Sequence, residues 1–128
     1  FMDIRSEAFR NILNQCGYVL CAARSEAGCA AVLEAMSAGL VPITTTETSV
    51  DIDGIGVAIT EHTPEAVLSA VDAAMDHPPE EYARRSAAAR DFVQEKHTDS
   101  VFQRAFQEAV SRIAAHRNRD HGLEKEAL

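Results

Sequence analysis

Tyr18-Val19-Leu20-Cys21-Ala22-Ala23, then Arg24-Ser25-Glu26-Ala27-Gly28, then Cys29 to Gly39 is the stretch that decides how this chain folds. Its first six residues form a short apolar run bounded by Gly17 and Arg24-Ser25. That is the pattern of a strand buried on both faces. The polar, small-residue turn that follows feeds a segment from about Cys29 to Ala38, in which Val32, Leu33 and Met36 share one helical face. Gly39 stands where a helix places its C′ glycine. Leu40-Val41-Pro42-Ile43-Thr44-Thr45 reads as a second strand, with Pro42 near its start, where a missing N–H is tolerated. Strand, helix and strand in this order predict a right-handed crossover in a parallel sheet.

Working outward, Ser6 is an N-cap for a helix carrying Phe9, Ile12 and Leu13 to about Gln15. Thr46 to Gly56 is turn-rich, and Val57-Ala58-Ile59 makes a third, short strand. Thr63-Pro64-Glu65 supplies an N-cap, an N1 proline and an early acid, with Val67, Leu68, Val71 and Met75 expected as the buried stripe. His77-Pro78-Pro79 breaks that helix, and another runs from about Glu80 to Lys96. Thr98 or Ser100 caps the last one, where Ser100 and Gln103 have capping-box spacing. Its stripe of Val101, Phe102, Ala105, Phe106, Ala109, Val110 and Ile113 reads as a core face, and residues of about 117–128 as a charged, frayed tail. The fold class is therefore α/β, with about three parallel strands, flanking helices and a helical C-terminal segment.

The 128 residues hold 12 Lys and Arg against 20 Asp and Glu, a net charge of −8. That excess argues against nucleic acid as a partner, because neutralising a phosphate backbone needs clustered cations. No apolar run approaches the ~20 residues of a membrane span. No basic-then-apolar leader opens the sequence. Cys16, Cys21 and Cys29 lack CxxC spacing and read as buried free thiols of a reducing compartment. A cytoplasmic setting is expected, or one peripheral to the membrane in a longer parent.

In parallel α/β sheets ligands sit beyond the carboxyl ends of the strands, where helix N-termini offer free N–H groups to anions. Gly28, with no side chain, is where the backbone comes closest to such a ligand. Glu26 lies in the turn and Glu34 eight residues on, at about 800° of helical rotation and so on roughly the same face. Two carboxylates so placed suit a neutral polyhydroxyl ligand, each accepting several O–H bonds. Asp51-Ile52-Asp53 resembles a metal-binding DxD, but it stands in a turn before Gly54, and Thr60 occupies the place where a calcium loop needs its bidentate Glu. The five His are dispersed, so no metal site is expected. Cys29 at a helix start has packing as its main role.

Ser25-Glu26-Ala27-Gly28, followed by Val32-Leu33-Glu34-Ala35-Met36-Ser37-Ala38-Gly39-Leu40-Val41-Pro42-Ile43, resembles the nucleotide-sugar-binding motif of group 1 (family 4-like) retaining glycosyltransferases with the GT-B fold. The family motif is a Glu, seven residues and a second Glu. It usually reads Ser-Glu-Gly-Phe-Gly before the helix and Leu-Glu-Ala-Met-Ala-x-Gly-x-Pro-Val-Ile after it. The likeness continues more weakly to about Ile113. Here Gly-Phe-Gly is replaced by Ala27-Gly28-Cys29, and Gly-Gly-x-Pro-Glu by Thr46-Glu47-Thr48-Ser49-Val50, which resembles a subgroup with a shorter Glu-x-x-x-Asp-type loop.

The resemblance implies that Glu26 is the catalytic-site carboxylate that bonds donor-sugar hydroxyls. It implies that the backbone N–H groups of Ala27, Gly28 and Cys29 approach the sugar and diphosphate, and that Glu34 accepts from the nucleotide ribose. The substrate implied is a nucleoside-diphosphate sugar, with no cofactor and no obligatory metal, the leaving diphosphate being stabilised electrostatically. The family's diphosphate-binding Arg and Lys lie upstream of this block. Residues 1–128 are accordingly expected to be the C-terminal part of a Rossmann-like donor-binding domain, with Phe1 to Ile4 the end of a further strand, and not to turn over alone. The expected partners are the donor and an acceptor-binding domain of the same parent. Self-association is also expected, because the Tyr18 strand would show an unpaired edge. The alternative is a non-catalytic α/β binding or scaffolding domain that keeps the helix motif for structure.

Overall fold

The computed structural model describes residues 6–123, with side chains through His116. The expectation for Phe1 to Ile4 lies outside the described residues. The chain divides into two units, Phe1–Gln94 and Glu95–Leu128. In the first, α1 (Glu7–Leu13), β1 (Tyr18–Cys21), α2 (Ala30–Ser37), β2 (Val41–Thr45), β3 (Val57–Ile59), α3 (Pro64–Met75) and most of α4 (Pro79–Lys96) follow one another. The second is built on α5 (Asp99–Leu123). The three strands form one parallel sheet in the order β1-β2-β3. This is the α/β architecture expected from the strand-helix-strand pattern.

Local chemistry sets the element ends. Ser6 Oγ accepts from the Phe9 N–H and Thr63 Oγ1 from the Ala66 N–H, so both expected N-caps are in place. At the end of α2, the Leu40 N–H donates to the Ala35 carbonyl and the Gly39 N–H to that of Met36. With Gly39 at φ +93°, this is a Schellman ending. Thr98, rather than Ser100, caps α5, its Oγ1 accepting from the Val101 N–H.

β2 is the central strand and all five of its residues are buried. It carries Pro42 without losing a ladder bond, for a geometric reason. The Val41 N–H points to β1, where it donates to Gly17. Backbone groups alternate in direction along a strand, so the Pro42 nitrogen faces β3. Pairing with β3 begins only one residue later, at Ile43 opposite Val57.

The two sheet faces are covered by different helices. On one face Val32 and Met36 of α2 pack with Ala89 and Phe92 of α4, and Val19 and Cys21 of β1 join them. On the other, Ile43 and Ile59 pack with Ala70 and Ala74 of α3.

Four expectations about burial are corrected. β1 is not buried on both faces: Leu20 is 51% exposed, because among the described residues β1 is the edge of the sheet and α3 packs over β2 and β3. The stripe of α3 is centred on Ala70 and Ala74, with Val67 and Val71 at its margins; Leu68 and Met75 are exposed. Alanines there let the helix lie close enough for the Tyr18 hydroxyl to reach the Ala74 carbonyl at 2.7 Å. On α5 the expected core face is exposed at Phe102, Phe106, Val110 and Ile113, with Phe102 and Phe106 stacked on each other. Of the thiols only Cys29 is buried; Cys16, just past α1, is exposed and Cys21 is intermediate. The α5 backbone is helical to Leu123, and residues 124–128 of the expected tail lie outside the described residues. Among the described residues no helix is long and apolar enough to cross a membrane.

Candidate functional site

The carboxyl ends of the three parallel strands point to one edge of the sheet, the edge at which ligands bind in such folds. There the chain leaves β1, crosses Ala22 to Gly28 and enters α2 with Cys29 at the N-cap. Glu26, Ala27, Gly28 and Cys29 therefore form one continuous turn at the entrance of the helix. Gly28 has φ +72°, and a Cβ built on it would meet nothing within 4 Å. Its side of the turn is open, and the glycine is needed for the backbone conformation rather than for lack of space.

This turn is tied to the loop after β2. The Glu26 N–H donates to the Glu47 carbonyl at 3.0 Å, the Cys29 N–H to that of Thr48 at 3.3 Å, and Ser49 Oγ to that of Glu26 at 3.1 Å. Ser49 achieves this from a left-handed conformation, φ 55°. Underneath, Thr45 Oγ1 donates to the Ala23 carbonyl at 2.6 Å and Thr48 Oγ1 to that of Thr45 at 2.9 Å. The buried threonines at the end of β2 thus hold both loops in register. Of the three N–H groups assigned to a diphosphate, that of Cys29 is already engaged, whereas those of Ala27 and Gly28 make no hydrogen bond among the described residues.

Glu34 stands within α2, exposed and away from the turn; Glu26 is exposed in the turn itself. A cleft of about 260 Å³ opens at the strand ends on the α3 side, lined by Arg24, Thr45, Glu61, His62 and Thr63 among others. Neither Glu26 nor Glu34 lines it. Its volume falls below the ~300 Å³ at which ordinary ligand pockets begin. His62 Nε2 lies 3.4 Å from Glu47 Oε1. The Glu47 carboxyl is held below the usual carboxylate range by its own backbone N–H, with the Thr46 hydroxyl and His62 adding to the effect.

Sequence reasoning found the turn and missed Glu61, His62 and the role of Glu47. These residues belong to segments that topology alone brings to the strand ends; a rule that each loop following a parallel strand contributes to one rim would have included them. Asp51 Oδ1 accepts from the Asp53 N–H at 3.2 Å, so the DxD-like pair shapes its own turn. Among the described residues no three His, Cys, Asp or Glu side chains cluster to hold a metal.

The face of the turn that looks toward α2 holds two thiols. Cys21 Sγ and Cys29 Sγ are 3.9 Å apart. Burial pushes the Cys21 thiol up, and the Cys29 thiol and the Glu26 carboxylate push it the same way.

Comparison with protein-family models, with curated proteins and with solved structures gave no match to this chain.

Proposed function

We propose that this chain forms the donor-binding part of a retaining glycosyltransferase and receives the nucleoside-diphosphate sugar at the carboxyl edge of its parallel sheet. The observation that carries the reading is the turn from Glu26 to Cys29. An exposed glutamate and two N–H groups that make no hydrogen bond among the described residues share that turn at the N-terminus of α2, with Gly28 in a left-handed conformation. In this reading Glu26 binds donor-sugar hydroxyls and the Ala27 and Gly28 N–H groups approach the diphosphate, with the positive end of the helix behind them. Glu34 accepts from the ribose. The remaining diphosphate contacts and the acceptor come from the rest of a longer, cytoplasmic parent, and this piece alone does not turn over.

The test is calorimetric titration of the full protein carrying this sequence with UDP, GDP and ADP and their sugar conjugates. One nucleotide series binds, and Glu34→Ala weakens it about tenfold or more, the loss of a charge-assisted hydrogen bond pair. Failure of every nucleotide and sugar nucleotide to bind overturns the reading. That outcome favours the second one, a non-catalytic α/β binding or scaffolding domain, which is supported by the engagement of the Cys29 N–H within the fold.

A further inference from the structure

We propose that Cys21 and Cys29 are a reversible dithiol–disulfide pair that closes the Ala22–Gly28 loop with a covalent staple. The two residues come from different elements: Cys21 is the last residue of β1 and Cys29 the N-cap of α2. The fold places their sulfurs 3.9 Å apart on the face between β1 and α2. A disulfide needs ~2.05 Å, so the sulfurs must close by about 2 Å, the scale of a side-chain torsion adjustment. The intervening residues favour this closure. Ala23 and Glu26 are tied to the loop after β2, but the Ala27 and Gly28 N–H groups make no hydrogen bond among the described residues and Gly28 has open space around it, so the step next to Cys29 can give while the two side chains rotate together.

The chemistry balances with a low-molecular-weight disulfide of the glutathione type as oxidant. Cys21 is the more accessible of the two thiols. Its thiolate attacks the oxidant, breaks the S–S bond and forms a mixed disulfide, releasing one small thiol. The Cys29 thiolate then attacks the Cys21 sulfur, forms the protein disulfide and releases the second small thiol. Two protein thiols are oxidised, one small disulfide is reduced to two thiols, and two electrons have moved to the oxidant. The raised Cys21 pKa makes the first step slow at neutral pH. It does not decide the equilibrium, which depends on how well the folded chain holds the sulfurs together.

The inference is independent of the donor-binding reading, since it concerns only the two sulfurs. If both hold, the staple spans the turn that carries Glu26, and oxidation would act on the site directly.

The test uses the whole chain with Cys16→Ser, which removes the only other cysteine. It is equilibrated in glutathione buffers from fully reduced to fully oxidised, quenched with acid and alkylated. Arg24 lies between the two cysteines, so trypsin places them on separate peptides that only the disulfide joins. The expected result is loss of both alkylatable thiols together, with a linked peptide pair lighter by two hydrogens than its separate halves, restored by dithiothreitol. Cys21→Ala and Cys29→Ser each abolish the linked pair, and serine is a favoured N-cap residue, so the second variant does not weaken the start of α2, where Cys29 makes no side-chain capping bond. Two thiols that stay alkylatable across the whole series, or that carry only glutathione without linking, overturn the proposal.

Discussion

Ser86 Oγ on α4 donates to the Gly39 carbonyl at 2.7 Å, tying the middle of one helix to the turn that ends another. Arg90, one turn further along α4, donates to the neighbouring Ala38 carbonyl at 3.2 Å. The Schellman ending takes the carbonyls of Ala35 and Met36 in the last turn of α2, and α4 takes those of Ala38 and Gly39 just beyond it. Gly39 is needed there chiefly for its backbone conformation. Its φ of +93° is outside what other residues adopt readily, and a Cβ would run into the Arg90 guanidinium and come within 3.0 Å of Ser86 Oγ. Gly39→Ala should destabilise the fold by about 2 kcal/mol, chiefly from backbone strain, since the exposed Arg90 side chain can swing aside and Ser86 need give only slightly. Ser86→Ala, which only removes a buried donor, should cost about 1–2 kcal/mol. Urea unfolding of both variants checks these values, and a negligible loss for Ser86→Ala would show that α4 is not held against this turn.

Glu81 contributes in a pH-dependent way. Its Oε1 accepts from Arg85 Nε at 2.7 Å and its Oε2 from Arg84 Nε at 2.8 Å. Hydrogen bonds from Arg84 and then Arg85 hold its carboxyl down to about 2, against an ordinary 4.5. A carboxyl depressed on folding stabilises fully above its unfolded value, and that contribution is lost as the pH falls through the folded one. The difference in stability between wild type and Glu81→Gln should therefore be constant above about pH 4.5 and shrink between there and about pH 2. Paired denaturation curves at a series of pH values test this. A difference that grows on acidification would contradict the assignment. Because the carboxylate is solvated, the whole effect should also weaken with added salt.

The parallel sheet was legible in the sequence because each of its parts has a local signature. The apolar run at Tyr18, the glycine at 39 and the Thr63-Pro64 start each name their own structure, and Ser6 caps α1 as its residue type requires. What could not be read was which apolar face meets which neighbour. Leu68 and Met75 have the same spacing as true core positions, yet α3 turns its alanines to the sheet, because close approach of the helix rewards small side chains there. Leu20 reads as buried only if β1 has a neighbour on each side and a helix above it. The turn of the candidate site was legible as a turn, since Gly28 and the strand end announce it. The hydrogen bonds from Glu26 and Cys29 to Glu47 and Thr48 join segments about 20 residues apart, and no periodicity encodes that pairing. The same holds for the approach of Cys21 to Cys29, which depends on the pleat and on the first turn of α2.

Gly28 separates conformation from packing more cleanly than Gly39 does. Its φ of +72° carries the usual penalty for a side chain, but the space around it is open. Gly28→Ala should cost about 1 kcal/mol, and Gly28→Asn less, because asparagine tolerates the left-handed region. Thermal unfolding should place the asparagine variant between wild type and alanine. If alanine and asparagine destabilise equally, crowding rather than backbone conformation governs the position. On the donor-binding reading both variants should lose more nucleotide affinity than stability, since the added atoms stand where the ligand approaches.

β1 has a hydrogen-bonded neighbour on one side only, β2, and among the described residues nothing pairs with its other edge. Such an edge is a template for another strand, and it is made more so by Leu20, which is half exposed in the middle of a four-residue apolar strand. Edge strands that stay solvated usually carry a charge, a proline or a bulge, and Tyr18-Val19-Leu20-Cys21 has none of these. The 128-residue chain should therefore self-associate in solution, with the oligomer population rising with concentration. Leu20→Lys places a charge on the exposed face of the edge without touching the α2 face, where Val19 and Cys21 pack. It should shift the protein to monomer while leaving its helix content unchanged. Light scattering coupled to gel filtration, with circular dichroism on the same samples, decides the matter. A wild-type chain that is monodisperse and monomeric over a hundredfold range of concentration would show that the edge needs no partner.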